Sequence, residues 1–318
     1  AAIGGLIGDN GGTIDASYAA GNATGNSDVG GLIGCDDGGS ITGHSYATGT
    51  ANGSTSYSEY VPVGNEPFLY AKIDTTNLTS IQNFDHHVPG IYKIESLADL
   101  QKLQEIINTD RVDTTGFTFV LGADIDLSSV SNWDSIGNKD DGTVFNGTFN
   151  GNGHKISNLT INDSSIDYQG LFGCTNRATI KNVAIVGCNI VGGNLTGALI
   201  GQVYNGTTVE NCYSTGSVTG NSCVGGLVGG LDGTITACYS TATVNGRDII
   251  GGLVGYSAGT ILTSYATGNA TGEQDIGGLV GHNFNIIDGS YVSNMFIKIF
   301  VVYINHFVDV VYIVAYIF

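Results

Sequence analysis

Basic residues are scarce: ten Lys and Arg stand against 28 Asp and Glu, a formal charge of −18 over 318 residues. A surface of that sign repels phosphate backbones and has no counterions of theirs to release, which argues against nucleic acid as a partner. Charged residues of either sign make up only 12%, proline occurs three times and methionine once. The six cysteines, at 35, 174, 188, 212, 223 and 238, include no C-x-x-C pair, so a zinc ribbon and a thioredoxin-type redox site are excluded and a disulfide scaffold is too sparsely supplied. No H-E-x-x-H is present, so a zinc peptidase centre of that type is not in this chain. Ala1–Gly8 carries neither Met nor a basic segment before an apolar run, and it reads as a start inside a repeat, not as a signal peptide.

What the chain does have is glycine, fifty residues of it, and 42% hydrophobic residues. That is enough apolar surface to pack a core, which a disordered chain of low hydrophobicity lacks. The glycines recur in order. Gly-Gly-Leu-Val/Ile-Gly stands at 4–8, 30–34, 225–229, 251–255 and 277–281, with weaker copies at 170–173 and 197–201. Strong copies within an array are 26 residues apart. A second unit, Thr-Ile-x-x-Ser/Cys-Tyr-x-Thr-Gly, keeps the same step, so Tyr213, Tyr239, Tyr265 and Tyr291 form a series. Two motifs sharing one period mean that a whole structural unit repeats.

Each unit contains β-branched and aromatic runs of four to six residues between Gly, Asn, Asp, Ser and Thr clusters, the pattern of strands joined by turns. Such a unit cannot cover its own apolar face and must stack on its neighbours, with strands about 4.8 Å apart. The expected fold is all-β, a parallel β-helix or β-solenoid with coils of about 26 residues. The expected ladders are Leu227, Leu253 and Leu279, and Ile235 with Ile261. Strand alternation puts Ile235, Ala237 and Tyr239 on one face and Thr236 with Cys238 on the other. It leaves open which of Leu227 and Val228 is inside. The glycines would serve either as positive-φ corners or as points of close backbone approach.

These units resemble the GLUG motif, named for Gly-Leu-x-Gly, of bacterial adhesins and of large secreted peptidases such as immunoglobulin A proteases. The resemblance covers residues 1–53 and about 165–294, through Gly226, Leu227, Gly229, Gly252, Leu253, Gly255, Gly278, Leu279, Gly281 and the tyrosine series. It implies non-catalytic stalk or binding regions at the cell surface or outside the cell.

Along the chain, residues 1–53 read as the end of a first array and 54–90, which hold all three prolines, as a linker. In 91–130, Ser96 and Asp99 form a capping-box pattern ahead of Leu97, Leu100, Leu103, Ile106 and Ile107, which predicts one short amphipathic helix through Asn108 closing the end of the solenoid. Residues 131–294 form the second array. In the hydrophobic tail 295–318, Lys298, Asn305, His306 and Asp309 interrupt a run long enough to span a bilayer. An anchor, extra edge strands and residues read out of frame stay open there, so membrane attachment is undecided.

Few groups suggest chemistry. Gly255-Tyr-Ser-Ala-Gly259 matches the G-x-S-x-G nucleophile elbow, but one coil earlier the same place reads Gly229-Gly-Leu-Asp-Gly233, which makes it a turn between strands. His86 and His87 beside Asp85 are adjacent residues that an extended chain points apart, short of a closed zinc site. Asp124 with Asp126 share a strand face and have a spacing compatible with paired-carboxylate hydrolysis; Asp36–Asp37 and Asp140–Asp141 are further acidic pairs. Calcium at an Asp/Asn turn is the one ion reading kept, without the G-G-x-G-x-D repeat in its support. Cys212 and Cys238 stand one coil apart, within disulfide reach, but Ser264 and Ser290 take their place in later coils, which favours a small ladder position with free thiols. The sequons at Asn146 and Asn269 are weak signals of glycosylation.

The expectation is therefore a chain with no catalytic, cofactor or metal residues: an adhesin-like stalk or binding surface whose partner is a host protein or glycan. The rivals are an accessory region of a secreted peptidase and a β-helix polysaccharide hydrolase or lyase.

Overall fold

In the computed structural model, which describes residues 72–138 and 142–292, the chain winds into a β-solenoid of about seven turns with one short helix. The first array at 1–53, most of the linker, Asp140–Asp141 and the tail lie outside the described residues. Phe119, Phe149, Ile180, Val209, Ile235, Ile261 and Ile287 are register partners in succession, all parallel. All but the last are fully buried. The step in this column is 30, 31 and 29 residues before it settles to 26 at Val209. In the coil from Ile180 to Val209, surplus residues leave at two register shifts, one between Ile185 and Cys188 around Gly187 (φ 66°) and one at Asn205–Gly206 (φ 39° and 76°). Bulges that release one or two residues let the ladder continue, and this is why the two weaker motif copies fall off the 26-residue step.

One coil shows how the faces are made. Ser222–Gly225 belongs to a four-stranded sheet, Val228–Thr236 to a twelve-stranded sheet, and Tyr239–Ser240 with Thr243–Asn245 to a ten-stranded sheet. Gly226–Leu227 is the corner between the first two. At this corner Leu227 and Val228 are both fully buried, because the chain bends between them and both side chains turn inward. Leu171, Leu199, Leu227 and Leu253 repeat the arrangement coil after coil at 0% exposure, with Leu279 at 9%.

The two roles open to glycine are divided between residue types. The motif glycines are points of close approach: a Cβ on Gly225 would stand 1.9 Å from the Val228 carbonyl oxygen, one on Gly252 1.9 Å from that of Gly278, and one on Gly229 2.5 Å from the Leu195 backbone. Positive φ falls mostly to residues with side chains, in two columns. Asn182, Asn211, Ala237, Thr263 and Gly289 have φ of 56°, 53°, 52°, 46° and 58°; Tyr168, Leu195, Cys223, Ile249 and Asp275 have 58°, 55°, 55°, 59° and 47°.

The first column corrects the expected face pattern. Ile235 and Cys238 lie in the main core, whereas Ala237 and Tyr239 lie in a second cluster with Ala184, Tyr213 and Tyr265. A left-handed residue at 237 interrupts the extended backbone, so alternation by two does not carry across the corner. The same column carries a buried amide ladder: Asn182 Nδ2 donates to Asn150 Oδ1 at 2.9 Å and Asn211 Nδ2 to Asn182 Oδ1 at 3.3 Å. It stops at Ala237, and Asn211 Oδ1 is left buried with no hydrogen-bond partner.

The helix Leu97–Asn108 forms as expected, with Ser96 as N-cap accepting from the Asp99 N–H at 3.2 Å. Asp99 returns the bond one residue further out, to the Glu95 N–H at 2.9 Å. Leu100, Leu103, Ile106 and Ile107 are buried with Ile94, Phe117 and Trp133, so the helix covers the end of the core. Asn108 ties it down through Ser135 O (2.9 Å) and the Gly137 N–H (2.7 Å). Ordered packing reaches back into the stretch assigned to the linker. Thr79–Ser80 pairs with Tyr92 and Lys93, Ile81 is fully buried, and the Asn152 amide bonds both N–H and C=O of Ile73. The strands on either side of residue 130 pair with each other, Thr118–Leu121 with Thr148–Asn150, in the twelve-stranded sheet.

Two substitutions test this account by urea denaturation. Gly252→Ala drives a Cβ into a neighbouring backbone and should cost at least about 3 kcal/mol. Ala237→Asn supplies the missing donor at a site whose φ Asn tolerates, and should raise stability by about 1 kcal/mol.

Candidate functional site

The repeat residues singled out by spacing are architectural. Tyr213, Tyr239 and Tyr265 stack with ring centroids 4.8 and 4.9 Å apart and planes within 5° and 2° of parallel. Each is less than a tenth exposed, and both faces of Tyr239 are covered by its neighbours, so the ladder is not an open stacking platform. The backbone of Tyr291 continues the pairing with Tyr265.

The cysteine positions are explained by a hydrogen-bond relay. The N–H of Val183 donates to Cys212 Sγ (3.4 Å), that of Cys212 to Cys238 Sγ (3.3 Å), that of Cys238 to Ser264 Oγ (3.1 Å), and that of Ser264 to Ser290 Oγ (3.0 Å). Each of these side chains in turn donates to the carbonyl two residues before it: Glu210, Thr236, Leu262 and Asp288. Cys and Ser interchange here because either is small and can donate and accept at once. All five cysteines among the described residues are free thiols. Burial pushes the Cys188 thiol up to about 12, and burial, then the Cys238 contact, raises that of Cys212 well above the usual range. Thiols held protonated are poor nucleophiles.

The other chemical candidates are committed to structural bonds. Ser257 ends the strand Val254–Ser257, is fully buried, donates to Gly259 O at 3.2 Å and pairs in register with Leu231. The next element is the strand Thr260–Leu262, so the strand-to-helix turn of a nucleophile elbow is absent. Asp124 and Asp126 do flank buried Ile125 on an exposed face. Asp124 pairs with His154 (3.2 Å) and Lys155 (3.7 Å). Asp126 accepts from Asn158 and Ser128, and these bonds hold its carboxyl below the ordinary value, the opposite of what a general acid needs. Asn146 is bound to Thr114 and Asp113, whereas Asn269 is exposed.

Two surface features were not legible as sites. In the last described coils an exposed Phe284 stands with half-buried Tyr256 and His282, with His282 and Phe284 stacked at 4.6 Å, Tyr256 to Phe284 at 5.6 Å, and Asp275 at 3.3 Å from His282. Tyr256 and His282 are register partners, but they belong to no shared motif and carried no signal. Near the helix, a cleft of about 580 Å³ is lined by Phe84, His86, Lys102, Asp110, Arg111 and Asp113, among others. On its rim the chain turns, and Asp85, His86 and His87 come together. The expectation that the two imidazoles point apart fails because residues 86–87 form a turn, not an extended strand; their ring centroids are 3.8 Å apart.

The model of the GLUG motif matches residues 192–219 and 220–245. Two successive coils are GLUG motifs. Halomucin of Haloquadratum walsbyi is 38% identical over 170 residues, half of this chain and 2% of its own length. A candidate Gly-rich membrane protein of Evansella cellulosilytica is 32% identical over 122 residues, 36% of this chain and 13% of its own. The chain thus spans a small part of both relatives. A candidate immunoglobulin A1 protease from Bacteroides ovatus has a similar crystal structure: TM-score 0.53 and 25% identity, covering 63% of this chain and 66% of that one. The GLUG matches lie on the coils where the Gly-Leu corner, the tyrosine stack and the thiol relay coincide. No described helix is long and apolar enough to cross a membrane.

The relay makes a specific demand. Cys238→Ser should lie within about 1 kcal/mol of the parent, whereas Cys238→Ala strands the buried Cys212 N–H and should cost about 1–3 kcal/mol. Equal losses in thermal unfolding would contradict it.

Proposed function

We propose that this chain is a non-catalytic repeat module of a secreted or cell-surface protein, acting as an adhesin-like stalk or binding surface. The observation that carries the reading is that Ser257, Asp126 and Cys212 are engaged in bonds within their own coil or to the next, while the coils themselves form one continuous parallel ladder. Such a ladder resists bending and sets a fixed length, about 4.8 Å per coil, which suits projection from a surface. The likeness to Halomucin and to a membrane protein supports an extracellular setting. The exposed Phe284, backed by half-buried Tyr256 and His282, supplies an aromatic face of the kind that meets sugar rings or apolar side chains. A host protein or glycan is the partner class that follows, and the charge of −18 speaks against nucleic acid.

The likeness to the Bacteroides ovatus chain favours a second reading, an accessory region of a secreted peptidase. Both readings predict no turnover of polygalacturonate or of peptide substrates by the chain itself. Screening the purified chain against glycan and host-protein arrays should give a ligand whose binding falls at least about tenfold in Phe284→Ala. Turnover lost in Asp124→Ala would replace the proposal with a hydrolase or lyase, and binding indifferent to Phe284→Ala would remove the aromatic group from it.

A further inference from the structure

We infer that Asp85, His86 and His87 form a binding site for a borderline transition-metal dication, Zn²⁺ being the reference ion. One ligand atom from each residue lies within 4.8 Å of the others, and all three side chains are exposed to bulk ion. Bonds of about 2.0–2.2 Å to zinc require donor atoms about 3.3 Å apart, a closure that side-chain rotation at an exposed turn can supply. Two imidazole nitrogens with one carboxylate oxygen select Zn²⁺, Cu²⁺ or Ni²⁺ over Ca²⁺ and Mg²⁺, which prefer oxygen ligands throughout.

The turn is held in place from both sides. Asp85 Oδ1 accepts the His87 N–H at 2.9 Å, and the Asp85 carbonyl accepts that of Val88 at 3.1 Å. The Tyr92 hydroxyl, reaching from a core strand, is 3.3 Å from the Asp85 carbonyl oxygen and 3.0 Å from that of Val88. Phe84, immediately before the turn, packs against Tyr92, Phe117 and Phe119 at 5.0–6.0 Å. The backbone carrying the three donors is therefore ordered before any ion arrives, which lowers the entropic cost of binding. A chain of net charge −18 also draws cations toward its surface. Three protein ligands leave at least one coordination position to water.

The test is calorimetric titration of the full chain with ZnCl₂ in chelator-free buffer, with Co²⁺ absorption as a spectroscopic probe of nitrogen ligation. One saturable site is expected. His86→Ala and His87→Ala should each weaken it by more than the about 10–100-fold typical of losing an outer-shell partner, while His282→Ala leaves it unchanged. Because residues 86 and 87 are exposed, both variants should keep the parent's circular dichroism and melting temperature without metal. Absence of a saturable site, a site that survives the double His86→Ala/His87→Ala substitution, or displacement of Zn²⁺ by about a thousandfold excess of Ca²⁺ would each overturn the assignment.

Discussion

Close backbone pairing between successive coils is the constraint on which the rest of this molecule depends. At the Gly-Leu corner the N–H of Leu199 donates to Leu227, that of Leu227 to Leu253 and that of Leu253 to Leu279, each at 2.9 Å. Strands can pair flat, but a corner must keep the same spacing while it bends. Cβ atoms at Gly225, Gly226 or Gly252 would fall about 2 Å from a carbonyl or side-chain oxygen. Glycine is therefore required there by crowding, while torsional freedom is supplied elsewhere by Asn, Leu, Cys, Ile and Thr residues in the left-handed region. Holding β-branched residues in that region costs of order 1–3 kcal/mol each, a cost that the ladder on either side must offset.

Stacking at a fixed spacing also turns single side chains into columns. Tyrosines stack at 4.8–4.9 Å because their coils do, and the amide ladder and the Cys/Ser relay follow the same geometry. The amides of the Asn ladder bond to the amide of the adjacent coil, so an interruption, as at Ala237, leaves a defect. The same geometry engages groups that look catalytic in the sequence: Ser257, Cys212 and Asp126 bond to neighbouring backbone or to the adjacent coil. Among the described residues, Phe284 and the turn at Asp85–His87 are exposed and lie outside these columns.

The period of 26, the parallel solenoid, the Leu and Ile ladders and the helix at 97–108 were all legible in the sequence. They rest on local or strictly periodic requirements: apolar residues that must be buried, a Ser-x-x-Asp cap, and a unit too small to cover itself. That Gly255–Gly259 leads from one strand into another was legible for the same reason, since one coil can be read against the next. The 29-residue coil from Ile180 to Val209 was not, because bulges at Gly187 and Asn205–Gly206 absorb residues without marking the pattern.

Tertiary structure alone decided which way side chains face at corners. Alternation by two holds only while the backbone stays extended, and a left-handed residue at 237 sends Tyr239 outward and Cys238 inward. The same limit applied to Asp85, His86 and His87: as a string they read as a loop, and only the turn, pinned by Tyr92 and Phe84, brings three donors to one place. Sequence determined that coils repeat and stack; the direction of each side chain at a bend depends on backbone torsions that only packing against the neighbouring coil selects.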